Sequence, residues 1–414
     1  MKALRWRWQD TGLVCVLTVM AAIGSFTASG RLPQPVLEQE SCVNFWFEGD
    51  LPYVYNAMLD ARNVHHRRSN RHPLFSLASY LPTKALRAMG VERSVAVRVV
   101  VSVVATLSLG ALFLTLRCMG CRSLDATLFS LLAAVSAGAM FWFTVPETWS
   151  FGALTLLLAL LVVAWDAPRT LSLGWYVIAS AATLSMTLTN WMAGIFMTFL
   201  RFPWRRALQV TVLAFAIVAA LWAVEKPLFP ATQFLPQRQY IAASVLQQDS
   251  GGSLAIIRAN LLHTMVMPMI GERVRDKDRG GVQMSVQRAG AGSASPWGRL
   301  AVWLWGALLV LGAWGAVTLR PQRPLTLVVG LTLLGQLALH QVYGGEESFL
   351  YAAHFLPLLV VLAAFGTLTR ARWVVVALAG ALVVCAGMNN AHQFAMATQR
   401  LEAYVQARTL GVHP

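Results

Sequence analysis

Residues 45–77 read FWFEGDLPYVYNAMLDARNVHHRRSNRHPLFSL. The stretch holds no apolar run long enough to cross a bilayer, yet it follows one at Thr11–Ala28 and precedes another at 95–116. It gathers Glu48, Asp50, Asp60, Arg62, His65, His66, Arg67, Arg68, Arg71 and His72 in a chain that is only 12% charged. A polar, acid–base-rich loop set between apolar runs decides the class. The fold expected is all-α and polytopic, with the loop held against a membrane.

Working outward, further apolar runs lie at 124–144, 149–165, 171–187, 189–201, 207–224, 298–318, 325–342, 348–368 and 373–390. With the first two they give about eleven candidate spans, helical because an open sheet edge cannot be satisfied in lipid. Residues 1–414 are read as one integral membrane domain, 57% hydrophobic, with too little charge to cover a soluble surface. The run at 189–201 is short and reads as tilted, re-entrant or fused to its neighbour. Thr11–Ala28 has small residues at Ser25, Ala28, Ser29 and Gly30 that could mark a cleaved secretory signal. A retained helix is the expectation, since the run covers about 27 Å at 1.5 Å per residue.

Short-loop charges orient the chain. With the N-terminus inside, the inner segments carry Lys2, Arg5, Arg7, Arg117, Arg122, Arg169, Arg201, Arg205, Arg206, Arg320, Arg323, Arg370 and Arg372 against Asp10, Asp125 and Asp166. The histidines fall outside or in the outer part of a span. The inner excess accounts for most of the net charge of +15, so the basic balance is a topology signal and argues against nucleic-acid binding. Of the five cysteines only Cys42 falls in an outer loop, which excludes an outer disulfide framework. Cys118 and Cys121 form a CxxC without a second Cys or His pair on their side, so neither metal nor redox chemistry is expected of them.

Two outer segments are long, 30–94 and 226–297. Each contains an amphipathic piece, 73–89 and 254–270, suited to lying in the interface plane. Residues 271–296 read as a mobile loop, and the tail from 391 as a short outer helix ending near Arg408.

The candidate chemistry sits at the outer mouth. Glu48 and Asp50 flank Gly49, so two carboxylates can face one ligand, as a base for an attacking hydroxyl or as ligands to a divalent cation such as Mg or Mn. The aromatic residues around them, Phe45, Trp46, Phe47, Tyr53 and Tyr55, suit packing on the membrane or stacking on a sugar. His66, Arg67, Arg68 and Arg71 can clamp a phosphate, and His72 can serve as a base. Glu147 in VPETW closes an outer turn and can complete a site with Asp50. Glu347 follows a glycine pair, and Tyr351 and His354, three apart, share a face of the next span. There is no P-loop, GxGxxG, GxSxG, HExxH or paired CxxC, which argues against ATP-driven transport and nicotinamide chemistry.

The span count, the long loop 30–94 with its Glu48/Asp50 pair, Glu147 at the next outer turn and the pattern FEGD…HRRSNRHPLF resemble the GT-C polytopic membrane glycosyltransferases. The resemblance covers about the first 230 residues and the topology of the rest. Asp50 lies further past the first span than in many members, and no large soluble C-terminal domain is seen. What the resemblance implies is an inverting transferase in a bacterial inner (cytoplasmic) membrane, with its site facing the periplasm. The donor would be a polyprenyl-phosphate sugar, its tail in a groove between spans, and the acceptor a glycan, lipid or protein. Asp50 would be the base and Arg67, Arg68 and Arg71 the stabilisers of the departing phosphate. Two other readings stay open. One is a ligase or polymerase of lipid-linked glycans using Arg258, His263 and Arg273; the other is a non-enzymatic flippase, transporter or scaffold.

Overall fold

The computed structural model describes residues 7–166, 170–234, 251–276, 281–319, 322–344 and 346–409. Lys2, Arg5, Arg169, Arg320 and the 235–250 and 277–280 parts of the second long loop lie outside the described residues. In chain order the helices are α1 (Trp8–Ser29), α2 (Gln34–Glu38), α3 (Leu51–Leu59), α4 (Phe75–Ala88), α5 (Arg93–Met119), α6 (Ser123–Ala134), α7 (Ala137–Trp142) and α8 (Thr148–Asp166). There follow α9 (Leu173–Met186), α10 (Trp191–Arg201), α11 (Trp204–Leu228), α12 (Ser253–Arg258), α13 (Pro296–Thr318), α14 (Arg323–Val342), α15 (Ala352–Ala364) and α16 (Arg372–Thr409).

Among the described residues, eight helical segments are long and apolar enough to cross a membrane: α1, α5, α8, α11, α13, α14, the Ser348–Leu368 segment around α15, and α16. The other expected spans are helical but short. Residues 124–144 break into α6 and α7 at Val135–Ser136, α9 has 14 residues and α10 has 11. The α6–α7 break is satisfied from inside the protein. The Ala137 and Gly138 N–H groups donate to Met265 O (3.1 Å) and Thr264 O (2.8 Å), and Asn390 Nδ2 donates to Val135 O (2.8 Å). Irregular backbone at that depth is tolerated because these partners exclude lipid from it.

Capping fixes the longer helices. Glu92 accepts from the Ser94 and Val95 N–H groups at the start of α5, and Gly120 ends it at φ 104°, where a side chain would be strained. Helix α1 packs along α5, and its Asp10, wholly buried, accepts from Arg117 Nη2 (3.0 Å) and Ser123 Oγ (2.6 Å). The three acids read as inner are all paired at this end of the bundle: Asp10 with Arg117, Asp125 with Arg372 and Asp166 with Arg201. A carboxylate at a span end is costly without such a partner.

Residues 30–94 cap the opposite, loop-bearing end. Helix α4 occupies most of 73–89, turning Ser76, Ser79 and Thr83 to the protein and leaving Leu81 and Met89 exposed, as an interfacial helix would. The 254–270 helix is shorter than expected. After α12 the chain makes a π turn at Ala259–His263 and then leaves the helix, because the carbonyls of Thr264 and Met265 are taken by α7. Residues 271–285, expected as loop, form an antiparallel hairpin of β1 (Gly271–Asp276) and β2 (Gly281–Ser285), anchored by the Met284 N–H donating to Phe45 O at 2.9 Å. The tail from 391 continues α16 without a break. Its 38 residues extend about 57 Å, nearly twice a ~30 Å hydrocarbon core. Arg408 Nη1 reaches Ser41 O (3.2 Å), and the Tyr404 ring sits 4.3 Å from Phe45.

Candidate functional site

The site begins with a strained turn. Asn44, Phe47 and Glu48 have φ of 69°, 48° and 62°, a region that costs non-glycine residues about 1–3 kcal/mol each. Burial holds it in place. Phe45, Trp46 and Phe47 are inside the core, where the Trp46, Phe47 and Phe141 rings lie 5.4–5.7 Å apart and Trp46 Nε1 donates to Phe141 O (3.2 Å). These three rings are thus core, not a sugar-stacking or membrane-facing surface. Gly49 must lack a Cβ, which would approach Trp46 O to 2.9 Å. The turn delivers Asp50 to the start of α3, where its carboxylate makes no capping bond and points away.

It points at Arg68. The 3-10 turn Val64–Asn70, capped by Asn63 Oδ1 accepting from the His65 N–H (2.9 Å), carries Arg68 inward while Arg67 and Arg71 stay exposed. Arg68 Nη1 contacts Asp50 Oδ2, and Arg68 Nη2 lies 3.0 Å from Glu147 Oε1. Asp50 keeps 34% of its side chain exposed against 1% for Glu147, so the guanidinium bridges an open carboxylate and a closed one. Arg68 Nε and Glu147 Oε2 are buried without a hydrogen-bond partner. Burial pushes the Glu147 carboxyl above its usual range, opposed by the charge of Arg68.

Beneath this bridge lies a second polar layer. Thr148 Oγ1 is 3.2 Å from Glu147 Oε1 and 3.3 Å from His72 Nε2. His72 Nδ1 donates to Met186 O (2.8 Å), leaving Nε2 as the acceptor. Burial, reinforced by Arg68, holds the imidazole well below its usual value, so His72 is neutral at pH 7. His72, Tyr351 and His354 all meet the Trp149 ring, at 5.5, 5.1 and 5.2 Å. Tyr351 also stacks on His340 at 3.8 Å. Both ring nitrogens of His354, the Trp149 indole N–H and Asn190 Nδ2 are buried without partners.

The structure therefore brings Asp50, Arg68, Glu147, His72, Tyr351 and His354 to one end of the bundle, with His72 reaching Asp50 only through Thr148, Glu147 and Arg68. The two carboxylates of the FEGD stretch diverge. Glu48 Oε2 accepts the Glu347 N–H at 2.9 Å. Glu347, wholly buried, accepts from Ser285 Oγ (2.6 Å) and the Val286 N–H (3.0 Å), so both acids tie the hairpin to the turn. His66 is buried between Ser76 Oγ (2.8 Å) and Asp60 O (2.9 Å). Arg67 and Arg71 have no ion-pair partner among the described residues. Among the described residues no three His, Cys, Asp or Glu side chains converge to hold a metal ion. Thr148 and Trp149 were not legible as site residues: a TW pair at a helix start carries no spacing signal.

A partly open apolar cavity of about 380 Å³ lies between α1, α5, α6, α7, α15 and α16. Met20, Ser25, Ala105, Leu112, Phe143 and Phe394 are among its walls, and Phe143 and Thr144 place it just before Glu147 in the chain. No family model matches this sequence, and no curated protein is similar to it at a significant level.

Proposed function

We propose that this chain is a GT-C-type membrane glycosyltransferase that moves a sugar from a polyprenyl-phosphate donor to an acceptor at the loop-bearing face. The observation that carries the reading is the part-buried Arg68 held between Asp50 and Glu147, which come from separate loops. A fixed guanidinium at a membrane surface suits a phosphate, which it can meet bidentately, and Arg67 and Arg71 add positive charge at the rim. The apolar cavity, whose walls include Phe143 and Thr144 a few residues before Glu147, suits part of a prenyl chain. In this reading the eleven apolar segments all belong to the membrane domain, α6–α7, α9 and α10 as partial crossings. The face is the extracytoplasmic side of a bacterial inner membrane, as the charge bias of the inner loops suggests.

The step balances without a metal. Asp50 takes the proton of an acceptor hydroxyl, whose oxygen bonds to the anomeric carbon. The bond from that carbon to the phosphate oxygen breaks, its electron pair leaves with the polyprenyl phosphate, and Arg68 stabilises the charge that develops. Thr148 donates to Glu147 Oε1 and so helps to hold Glu147 and, through it, the guanidinium. The test incubates purified protein and D50N with polyprenyl-phosphate sugars and envelope acceptors and measures free polyprenyl phosphate. Release by the wild type alone is expected; equal release by D50N removes Asp50 from the chemistry.

A further inference from the structure

While Arg68 Nη1 holds its Oδ2, Asp50 has only Oδ1 open to an acceptor's proton. We propose that Arg68 is a gate: it keeps Asp50 occupied until a phosphodiester takes Asp50's place on the guanidinium, so that the base is released only when donor is seated. This rests on the transferase reading and goes one step past it.

The bridge is asymmetric in the way a gate requires. Glu147 is enclosed and retains Arg68 through Nη2, while Asp50 is part-exposed and stands on the solvent side. Arg68 Nη1 and Nη2 carry two N–H groups each and Glu147 takes one of those on Nη2, so an incoming phosphate can meet N–H groups on both nitrogens in Asp50's place. A fork of two N–H groups binds phosphate bidentately, which one contact to Asp50 cannot match. The arrival of donor therefore exchanges the weaker anion and leaves the buried pair intact.

Charge supports the same ligand class. Asp50 and Glu147 contribute two negative charges and Arg67, Arg68 and Arg71 three positive ones, a net of +1. One phosphodiester monoanion brings the cluster to zero. After transfer the product phosphate carries one more negative charge and Asp50 carries the acceptor's proton, so the balance is kept. A diphosphate-linked donor would leave the cluster at −1 on binding.

The full-length protein in detergent is treated with a carbodiimide and an amine, and modification of Asp50 and Glu147 is read by mass spectrometry. The probe is a prenyl methyl phosphodiester, its binding followed by native mass spectrometry. Asp50 labelling should rise several-fold with the probe, on the order of three to ten, as one part-exposed ion pair is lost. Glu147 should stay unlabelled. R68Q should label Asp50 at the fast rate with no probe; if R68Q does not fold, R68K should label at an intermediate rate. Probe binding with unchanged Asp50 labelling overturns the gate and leaves the transferase reading standing. No binding of any prenyl phosphate overturns both.

Discussion

Arg68 Nη2 lies 3.0 Å from Glu147 Oε1, which joins a 3-10 turn in the first long loop to the start of helix α8, 79 residues further along the chain. Because Glu147 is 1% exposed, the pair is worth most when it is broken. Removing Arg68 leaves Glu147 buried and uncompensated, at about 3–5 kcal/mol. R68Q is expected to unfold at lower denaturant by that amount. The double variant R68Q/E147Q should recover a substantial part of it. Equilibrium unfolding of the four proteins in one detergent gives the coupling energy, and additive losses would show that the pair is not a structural unit.

Glu347 makes stability depend on pH. Burial, aided by the nearby Glu48 charge, raises its carboxyl from the usual 4.5 to about 7, although Ser285 and Val286 pull it back. A folded value above the unfolded one means that the folded state binds the extra proton. The contribution is complete below about pH 4.5 and is lost as pH rises through about 7. The slope contributed in that window is at most one proton, about 1.4 kcal/mol per pH unit. Thermal unfolding at several pH values should show it, and E347Q should flatten it whatever its baseline. An unchanged slope in E347Q would assign the titration elsewhere.

The membrane class was legible because lipid demands long apolar runs, and every one of those runs is helical. The breaks were not. Ala137 and Gly138 leave the helix for the carbonyls of Met265 and Thr264, partners more than 120 residues away that no local pattern announces. In the loop, HHRRSNRH marked a basic cluster, yet spacing alone could not say that the 3-10 turn turns Arg68 inward and leaves Arg67 and Arg71 at the rim. Glu48 and Asp50 looked equivalent. The left-handed backbone at Phe47 and Glu48 sends them to different partners, and residues of that size give no sequence warning of such a conformation.

Thr148 tests whether the polar layer beneath the bridge serves the chemistry. Its hydroxyl is the only side chain described between Glu147 and His72, at 3.2 and 3.3 Å. T148V removes it at constant shape and should cost about 1–3 kcal/mol, because a buried acceptor loses its donor. In the release assay kcat/KM should fall, since Glu147, and with it the guanidinium that meets the donor, is placed less firmly. T148S should restore the wild-type rate. Equal damage by T148V and T148S would assign the residue a packing role only.

The cavity offers a contrast between space and crowding. A Cβ added at Gly24, which lines the cavity, meets no atom within 4 Å. G24L should therefore fold normally, gain up to about 1 kcal/mol of helix propensity, and raise KM for a prenyl donor with little change in kcat. At Gly312 a Cβ would come within 2.3 Å of Leu362 O and 2.6 Å of Ala363 Cα, backbone atoms that cannot step aside. G312A should lose about 1–3 kcal/mol by overpacking, while G306A on the same helix, open on all sides, should lose nothing. Thermal unfolding of the three variants, with donor KM for G24L, checks both ends of the comparison. If G24L left donor KM untouched, the tail would not use this cavity, and if G312A matched G306A, helix α13 would not pack as closely on the Leu362–Phe365 backbone as the structure has it.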